Sequence, residues 1–224
     1  MDVLAELLSS RCFLCKRTEK FICNKCLEKF EPSVPKCIVC EKKSEGGVTH
    51  PTCKIVFPNS PEAFISLFEY NLIASKTLKM SKYPPYYFYL LRFLILKFYP
   101  NLNNLDFFTC PIPISANKMY EREFNQSQII SRALYDMTGI LEIPIINRSR
   151  DSLPLYLLDK IQRKKELEDI FKINTLKVFA DLFELKNVLI VDDLKTTGET
   201  IFQAVKVLKK QGFESISAFS LFTT

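Results

Sequence analysis

The segment 188–200, VLIVDDLKTTGET, constrains the fold of this chain more than any other part of it. Its first four residues are apolar and long enough for one buried strand. Two carboxylates, Asp192 and Asp193, follow, and a small polar loop then leads into a helical apolar periodicity. A helix N-terminus attracts phosphate, while paired carboxylates bind sugar hydroxyls or a hydrated divalent cation. The segment therefore predicts a phosphate-and-ribose site where a buried strand ends.

Within this segment, Gly198 lets the backbone approach a phosphate because glycine has no Cβ. We expect Asp192 and Asp193 to carry the chemistry of the site. We expect the phosphate to lie against the loop formed by Lys195, Thr196, Thr197, Gly198, Glu199 and Thr200. The alternative is an ordinary strand-to-helix turn with a threonine cap. The sequence contains neither G-x-x-x-x-G-K-[ST] nor G-x-G-x-x-G.

Seven of the eight cysteines precede residue 54, which is typical of metal binding in a reducing compartment rather than of disulfides. With the only histidine they form four pairs at i, i+3 spacing: Cys12 and Cys15, Cys23 and Cys26, Cys37 and Cys40, His50 and Cys53. Eight ligands suffice for two tetrahedral zinc sites. We expect one or two zinc ions, with the pairs grouped in chain order. A crossed grouping stays open, as does the loss of the site that needs His50.

The organisation of the chain follows from these two features. We expect a zinc-binding domain over residues 1–58 and a second domain over 59–224, with no secretory signal and no membrane-spanning helix. The net charge of +6 permits nucleic-acid binding but does not require it. Basic residues around the cysteine pairs are interleaved with Phe13, Phe21 and Phe30. This mixture is typical of single-strand binding by phosphate contacts and base stacking, and equally of a solvated face over a small core.

Strand and helix patterns alternate through the second domain and predict a parallel α/β sheet flanked by helices. We expect strands at 63–70, 107–114, 142–147, 170–173, 188–191 and 215–222. We expect helices at 72–81, 84–99, 125–137, 155–167 and 199–210. The helix at 84–99 is apolar on nearly all faces, which favours a core helix over one at a membrane surface.

A second anion-binding element follows the predicted strand at 107–114. Lys118 and Arg122 lie in what we expect to be a loop, where they would hold a pyrophosphate. Further positive charges follow the next strands, at Arg148, Arg150 and Arg163, and an exposed charged face explains them equally well.

The segment from Asp192 to Thr200 resembles the signature loop of type I phosphoribosyltransferases, which bind phosphoribosyl pyrophosphate (PRPP) with magnesium. With the cysteine pairs in front, the chain resembles the ComF family of competence proteins. That family joins an N-terminal double zinc ribbon to a type I phosphoribosyltransferase-like domain. Its R-G-F-N-Q pattern is matched here except that Glu123 replaces the glycine, and Glu166 stands where a later asparagine is expected. The matching residues are Arg122, Phe124, Asn125 and Gln126.

The resemblance implies a role in natural transformation. Single-stranded DNA would be handled in the cytoplasm at the inner membrane, with a DNA-uptake channel and a helicase as partners and a peripheral membrane contact. Two other functions stay open: a free-standing phosphoribosyltransferase acting on a small base, and a zinc-dependent scaffold with a vestigial pocket. No residue is an obvious general base for transfer to a purine or pyrimidine, so the sequence leaves enzymatic activity undecided.

Overall fold

The computed structural model describes residues 11–18, 21–82, 86–98, 107–151, 158–174 and 187–224. The strands are β1 (Phe64–Glu69), β2 (Phe108–Pro111), β3 (Ile146–Arg148), β4 (Phe171–Ile173), β5 (Asn187–Lys195) and β6 (Ser215–Thr223). Four of them form a parallel sheet in the order β1-β6-β5-β2. This confirms the predicted parallel α/β sheet.

The strands β3 and β4 depart from the prediction, because they pair with each other, antiparallel, in a separate two-stranded sheet. The predicted strand at 142–147 is reduced to one parallel bridge between Thr109 and Glu142, followed by the short β3. Pro144 lies between these two parts and has no N–H to donate to a neighbouring strand. The ladder is therefore broken at that point.

The helices are α1 (Asn24–Leu27), α2 (Pro51–Val56), α3 (Leu72–Met80), α4 (Tyr86–Phe98), α5 (Ala116–Arg122), α6 (Gln126–Thr138), α7 (Lys160–Leu167) and α8 (Glu199–Lys210). Asn71 caps α3 by accepting hydrogen bonds from the N–H groups of Ile73 and Ala74. Gly139 ends α6 in the left-handed conformation. The early part of the predicted helix at 155–167 lies outside the described residues, which resume at 158.

The two faces of the parallel sheet carry two separate hydrophobic cores. Leu189 and Val191 of β5 pack on one side with residues of α3, α4 and α6, whereas Val188 and Ile190 pack on the other side with α8. This alternation follows from the period of two along a strand. The predicted core helix is confirmed, since α4 buries Leu90, Leu91, Leu94 and Ile95 completely. Across the described ranges, no helix is long and apolar enough to cross a membrane.

The cysteine-rich segment contributes to both cores. Leu14, Phe21 and Phe30 join the core that contains α3 and α4, and Lys76 of α3 donates a hydrogen bond to the carbonyl of Leu14. Ile38 joins the opposite core, beside α8. The metal-binding segment is therefore packed into the sheet domain on both faces.

Candidate functional site

The eight predicted metal ligands lie in two groups of four, in chain order. Cys12, Cys15, Cys23 and Cys26 form the first cluster, and Cys37, Cys40, His50 and Cys53 form the second. Within each cluster the ligand atoms lie within 4.8 Å of one another. The sulfurs of Cys15 and Cys23 are 3.6 Å apart, close to the ~3.8 Å that tetrahedral zinc with ~2.3 Å bonds requires. The geometry therefore fits two zinc ions and excludes the crossed grouping.

The first knuckle of each cluster has the same backbone structure. The N–H of Lys16 donates to the carbonyl of Cys12 at 2.7 Å, and the N–H of Glu41 donates to that of Cys37 at 2.9 Å. Lys16 and Glu41 both adopt the left-handed conformation, with φ of 67° and 58°. These turns aim the two sulfurs of a knuckle at one point. Thiolate and imidazole are the ligands that zinc prefers, so each cluster could hold one ion.

The first cysteine of each cluster favours the thiolate state, whereas burial raises the pKa of Cys23, Cys26 and Cys53. Burial alone raises the pKa of Cys12, but backbone N–H groups at Cys23 and Cys15 outweigh it and lower the pKa to about 7. Burial acts likewise on Cys37, and backbone N–H groups at Cys40 and His50 lower its pKa to about 7. A metal ion binds the deprotonated thiol, so these hydrogen bonds favour the metal-binding form.

The acidic pair lies inside a strand rather than after it. We predicted that the strand ends at Val191, but β5 continues to Lys195 because β6 keeps pairing with it, through Asp192 opposite Ser220 to Lys195 opposite Thr223. On its other side, β5 pairs with β2 only as far as Val191. Beyond Val191, β5 has no pairing with β2, so the acidic pair lies on an unpaired edge of β5. This edge is at the carboxyl end of the parallel strands, where such sheets bind ligands.

The carboxyl group of Asp192 is buried and that of Asp193, beside it, is half-buried. Asp192 is only 9% exposed, and its Oδ1 accepts hydrogen bonds from Ser127 Oγ at 3.2 Å and from the N–H of Asp193 at 2.9 Å. Burial, reinforced by the charge of Asp193, raises the pKa of Asp192 well above its usual value. Burial also raises the pKa of Asp193, although Lys82 and Arg122 oppose the shift. Such a pair is costly to ionise unless a cation or a hydroxyl donor occupies the site.

Four half-buried cations from three parts of the fold surround the acidic pair: Lys82, Lys118, Arg122 and Arg148. Burial and the charges of its neighbours Arg148 and Arg122 lower the pKa of Lys118. Burial and the charge of Arg122 lower the pKa of Lys82. Like charges brought together in this way are the electrostatic signature of a site for a polyanion. Lys118 and Arg122 were predicted here, whereas Lys82 was not.

The elements that carry these cations are tied together at the start of α6. Asn125 caps that helix and donates to the carbonyl of Ile112 at 2.8 Å, which fixes the chain after β2. Gln126 accepts from Arg122 at 3.1 Å and donates to Ser81 at 3.4 Å, beside Lys82. The segment before α6 was expected to be a loop, but it forms α5, which Ser115 caps at its start.

The end of α5 explains one departure from the family pattern. Glu123 has a φ of 64°, so it occupies the left-handed conformation that glycine adopts most easily. Glutamate keeps the same backbone here at a cost of roughly 1–2 kcal/mol. The backbone at residue 123 therefore has the conformation expected for glycine, although the residue is glutamate.

The predicted phosphate loop leads directly into α8. Gly198 caps the helix with a φ of 80° and is buried, and Thr197 Oγ1 accepts from the N–H of Glu199 at 3.5 Å. Thr196 is exposed, and Thr200 lies in the first turn of the helix. Lys195 turns away from the loop, because its Nζ pairs with Glu41 Oε1 at 2.9 Å and its side chain is only 5% exposed. Ligand binding by each of these residues stays a prediction.

Two arginines lie at the end of β3 and just after it. Burial lowers the pKa of Arg148, which is next affected by the charges of Asp151, Arg150 and Glu166 and to a smaller extent by that of Asp192. Arg150 donates to the carbonyl of Glu166 at 2.6 Å and pairs with its carboxylate at 3.4 Å. Arg150 therefore ties the chain after β3 to the end of α7. Glu166, which replaces the asparagine expected from the resemblance, is engaged in this contact.

Two curated proteins are similar to the chain. Competence protein F of Haemophilus influenzae is 30% identical over 115 residues, which are 50% of this chain and 48% of that protein. The chain is therefore similar to a competence protein over half of its length. Competence protein ComFC of Bacillus subtilis is 29% identical over 126 residues, which are 56% of this chain and 47% of that protein. The chain thus spans about half the length of these relatives. No family model matches it. The relationship confirms the resemblance that the sequence motifs indicated.

Proposed function

We propose that this protein takes part in natural transformation, handling incoming single-stranded DNA in the cytoplasm at the inner membrane. In this proposal a DNA-uptake channel and a helicase are its partners, and any membrane contact is peripheral. The names of the two relatives support the competence role. We also propose that the acidic pair and its four surrounding cations bind PRPP with magnesium.

The observation that carries the PRPP proposal is the convergence of opposite charges at the carboxyl end of β5. Two adjacent carboxylates, the buried Asp192 and the half-buried Asp193, suit the two ribose hydroxyls or a hydrated magnesium ion. The four cations suit the pyrophosphate, whose charge would relieve their mutual repulsion. The amide groups around Gly198 at the start of α8 suit the 5′-phosphate.

Replacing Lys82 by methionine tests the site at the residue that the family motifs do not include. We expect Lys82→Met to weaken PRPP binding by about 10- to 100-fold, since a charge-assisted contact is worth about 1.5–3 kcal/mol. Isothermal titration calorimetry with PRPP and magnesium measures the change. Lys97→Met removes the same charge from an exposed site on α4 and should leave the affinity unchanged. Equal affinities for both variants would contradict the proposed pyrophosphate position.

The structure changes the expected mode of DNA binding. Phe21 and Phe30 are 4% and 5% exposed and belong to the core, which favours the alternative of a small core under a solvated face at these two positions, while Phe13 is half-buried. The basic residues around the knuckles are exposed instead: Arg11, Lys16, Arg17, Lys25, Lys29, Lys36, Lys42 and Lys43. Binding would therefore depend on phosphate contacts and show little preference among sequences.

Salt titration tests this mode of DNA binding. We expect the affinity for a single strand to fall steeply with salt, by about 0.7 in the logarithmic slope per phosphate contacted. The double variant Lys42→Gln, Lys43→Gln should reduce that slope by about one to two units, as measured by fluorescence anisotropy. A slope near zero for the wild-type protein would contradict the DNA proposal while leaving the PRPP proposal standing.

A further inference from the structure

The second metal cluster lies against the segment that we propose as the phosphate loop. Glu41 directly follows the ligand Cys40, and its carboxylate is 2.9 Å from Nζ of Lys195. Lys195 is the last residue of β5 and directly precedes the loop. The ammonium group is almost fully buried, so it depends on this carboxylate for a partner of opposite charge. The knuckle therefore fixes the residue from which the loop starts.

A second contact from the same knuckle reaches the middle of the loop. Ile38, between the ligands Cys37 and Cys40, is 4% exposed and belongs to the core beneath α8. Its Cδ1 lies 3.6 Å from the position that a Cβ would occupy on Gly198. The ring of Phe202 lies 3.2 Å from the same Cβ position. Ile38 and Phe202 thus both pack on the side of the buried glycine from which a Cβ would project.

A third contact comes from the other half of the cluster. Phe57 follows α2, which carries the ligand Cys53, and its N–H donates to the carbonyl of Cys53 at 2.8 Å. The ring centroids of Phe57 and Phe202 are 6.2 Å apart, and Phe202 belongs to the first turn of α8. Both halves of the metal cluster therefore contact the loop and the helix start that follows it.

We propose that the second metal cluster positions the phosphate loop, with Glu41 and Ile38 as the positioning residues, so that metal retention and 5′-phosphate binding are coupled. The inference rests on the proposed function of the loop. Cys37 and Cys40 of the knuckle and Cys53 of α2 would hold one ion between them, and this shared ion would join the knuckle to α2. With the ion bound, the three contacts hold residues 195–202 in the geometry that a phosphate needs, and the ligand does not have to order them.

Ribose 5-phosphate and inorganic pyrophosphate, each of which is one part of PRPP, test the loop and the rest of the site independently. We expect Glu41→Gln to weaken binding of ribose 5-phosphate on the order of tenfold and to leave binding of inorganic pyrophosphate unchanged. Glu45→Gln removes the same charge from an exposed turn of the same cluster and should change neither affinity. Calorimetry measures both ligands, while zinc content and circular dichroism show that the fold is intact. Ile38→Ala, which removes an uncharged contact, should repeat the pattern.

The possible outcomes test the positioning role separately from the proposed binding of PRPP. Unchanged ribose 5-phosphate affinity in both Glu41→Gln and Ile38→Ala would overturn the positioning role, and so would an equal loss for both ligands. If the wild-type protein bound neither ligand, the proposed function would fall and the inference with it.

The same coupling can be measured from the metal side. Coupling between two binding sites is reciprocal, so saturating ribose 5-phosphate should raise the zinc affinity of the second cluster, measured by competition with a chelator, on the order of tenfold. The first cluster contacts the opposite core and serves as the internal reference, so only one of the two ions should respond. Equal zinc loss with and without the sugar phosphate would overturn the coupling.

Discussion

Replacing Cys23 with alanine is expected to unfold the chain at temperatures where the wild-type protein is fully folded. Cys23 is completely buried in the first metal cluster, and the same core contains Phe68 of β1 and Leu91 and Leu94 of α4. Structural zinc contributes about 10–16 kcal/mol in small zinc domains, which is comparable to the whole stability of an ordinary protein of about 5–15 kcal/mol. Loss of the ion would therefore affect the sheet domain as well as the ribbon.

The control for this prediction is a fully buried cysteine that lies in the sheet itself and outside the metal clusters. Cys110 of β2 is 0% exposed, belongs to the opposite core and is a ligand of neither cluster. Cys110→Ala deletes the same atom, and we expect it to lower the melting temperature by only a few degrees, at about 2–4 °C per kcal/mol. Thermal unfolding followed by circular dichroism compares the two variants. Similar melting temperatures would show that the first cluster does not hold the fold together.

Neutralising the acidic pair is expected to remove PRPP binding and to stabilise the folded chain. The double variant Asp192→Asn, Asp193→Asn should lose about 100-fold or more in affinity, because two oriented carboxylates are replaced by neutral amides. Asparagine at 192 still accepts hydrogen bonds at Oδ1 from Ser127 and from residue 193. The melting temperature should rise by several degrees, because burial disfavours the two charges in the folded state.

The raised pKa values of Asp192 and Asp193 also determine how stability and PRPP affinity should change with pH. Each carboxyl group is protonated more easily in the folded chain than in the unfolded chain, so its charged form destabilises the fold and acidification relieves that cost. Binding to ribose hydroxyls or magnesium requires the charged form. PRPP affinity should therefore begin to fall at a higher pH than ordinary carboxyl groups would predict. Asp169→Asn neutralises an exposed aspartate paired with Lys206 and should leave affinity and pH profile unchanged.

The sequence predicted those parts of the site that lie close together along the chain. The loop around Gly198 and the cysteine knuckles are local patterns found in the expected conformation or grouping, whereas the acidic pair lies inside β5 rather than after it. The length of β5 was underestimated, because it depends on pairing with β6 rather than on its own apolar residues. The helix α5 was missed because a glutamate, Glu123, occupies the left-handed position that normally marks a helix end with glycine.

The contacts that complete the site are distant in sequence and leave no local pattern. Lys82 follows α3, far from the acidic pair, and only the fold brings its charge to Asp193. Glu41 and Lys195 are separated by 154 positions, yet they form the ion pair that joins the metal cluster to the loop. Periodicity and spacing report on neighbours along the chain. They cannot report which surface residues of one segment will meet another.

A crystal structure of the protein with PRPP and magnesium tests the central claim most directly. We expect the 5′-phosphate against the backbone amides of residues 196–200, the ribose hydroxyls on Asp192 and Asp193, and the pyrophosphate among Lys82, Lys118, Arg122 and Arg148. Electron density for the ligand at another site, or none at saturating concentration with the two aspartates still paired to their neighbours, would contradict the account.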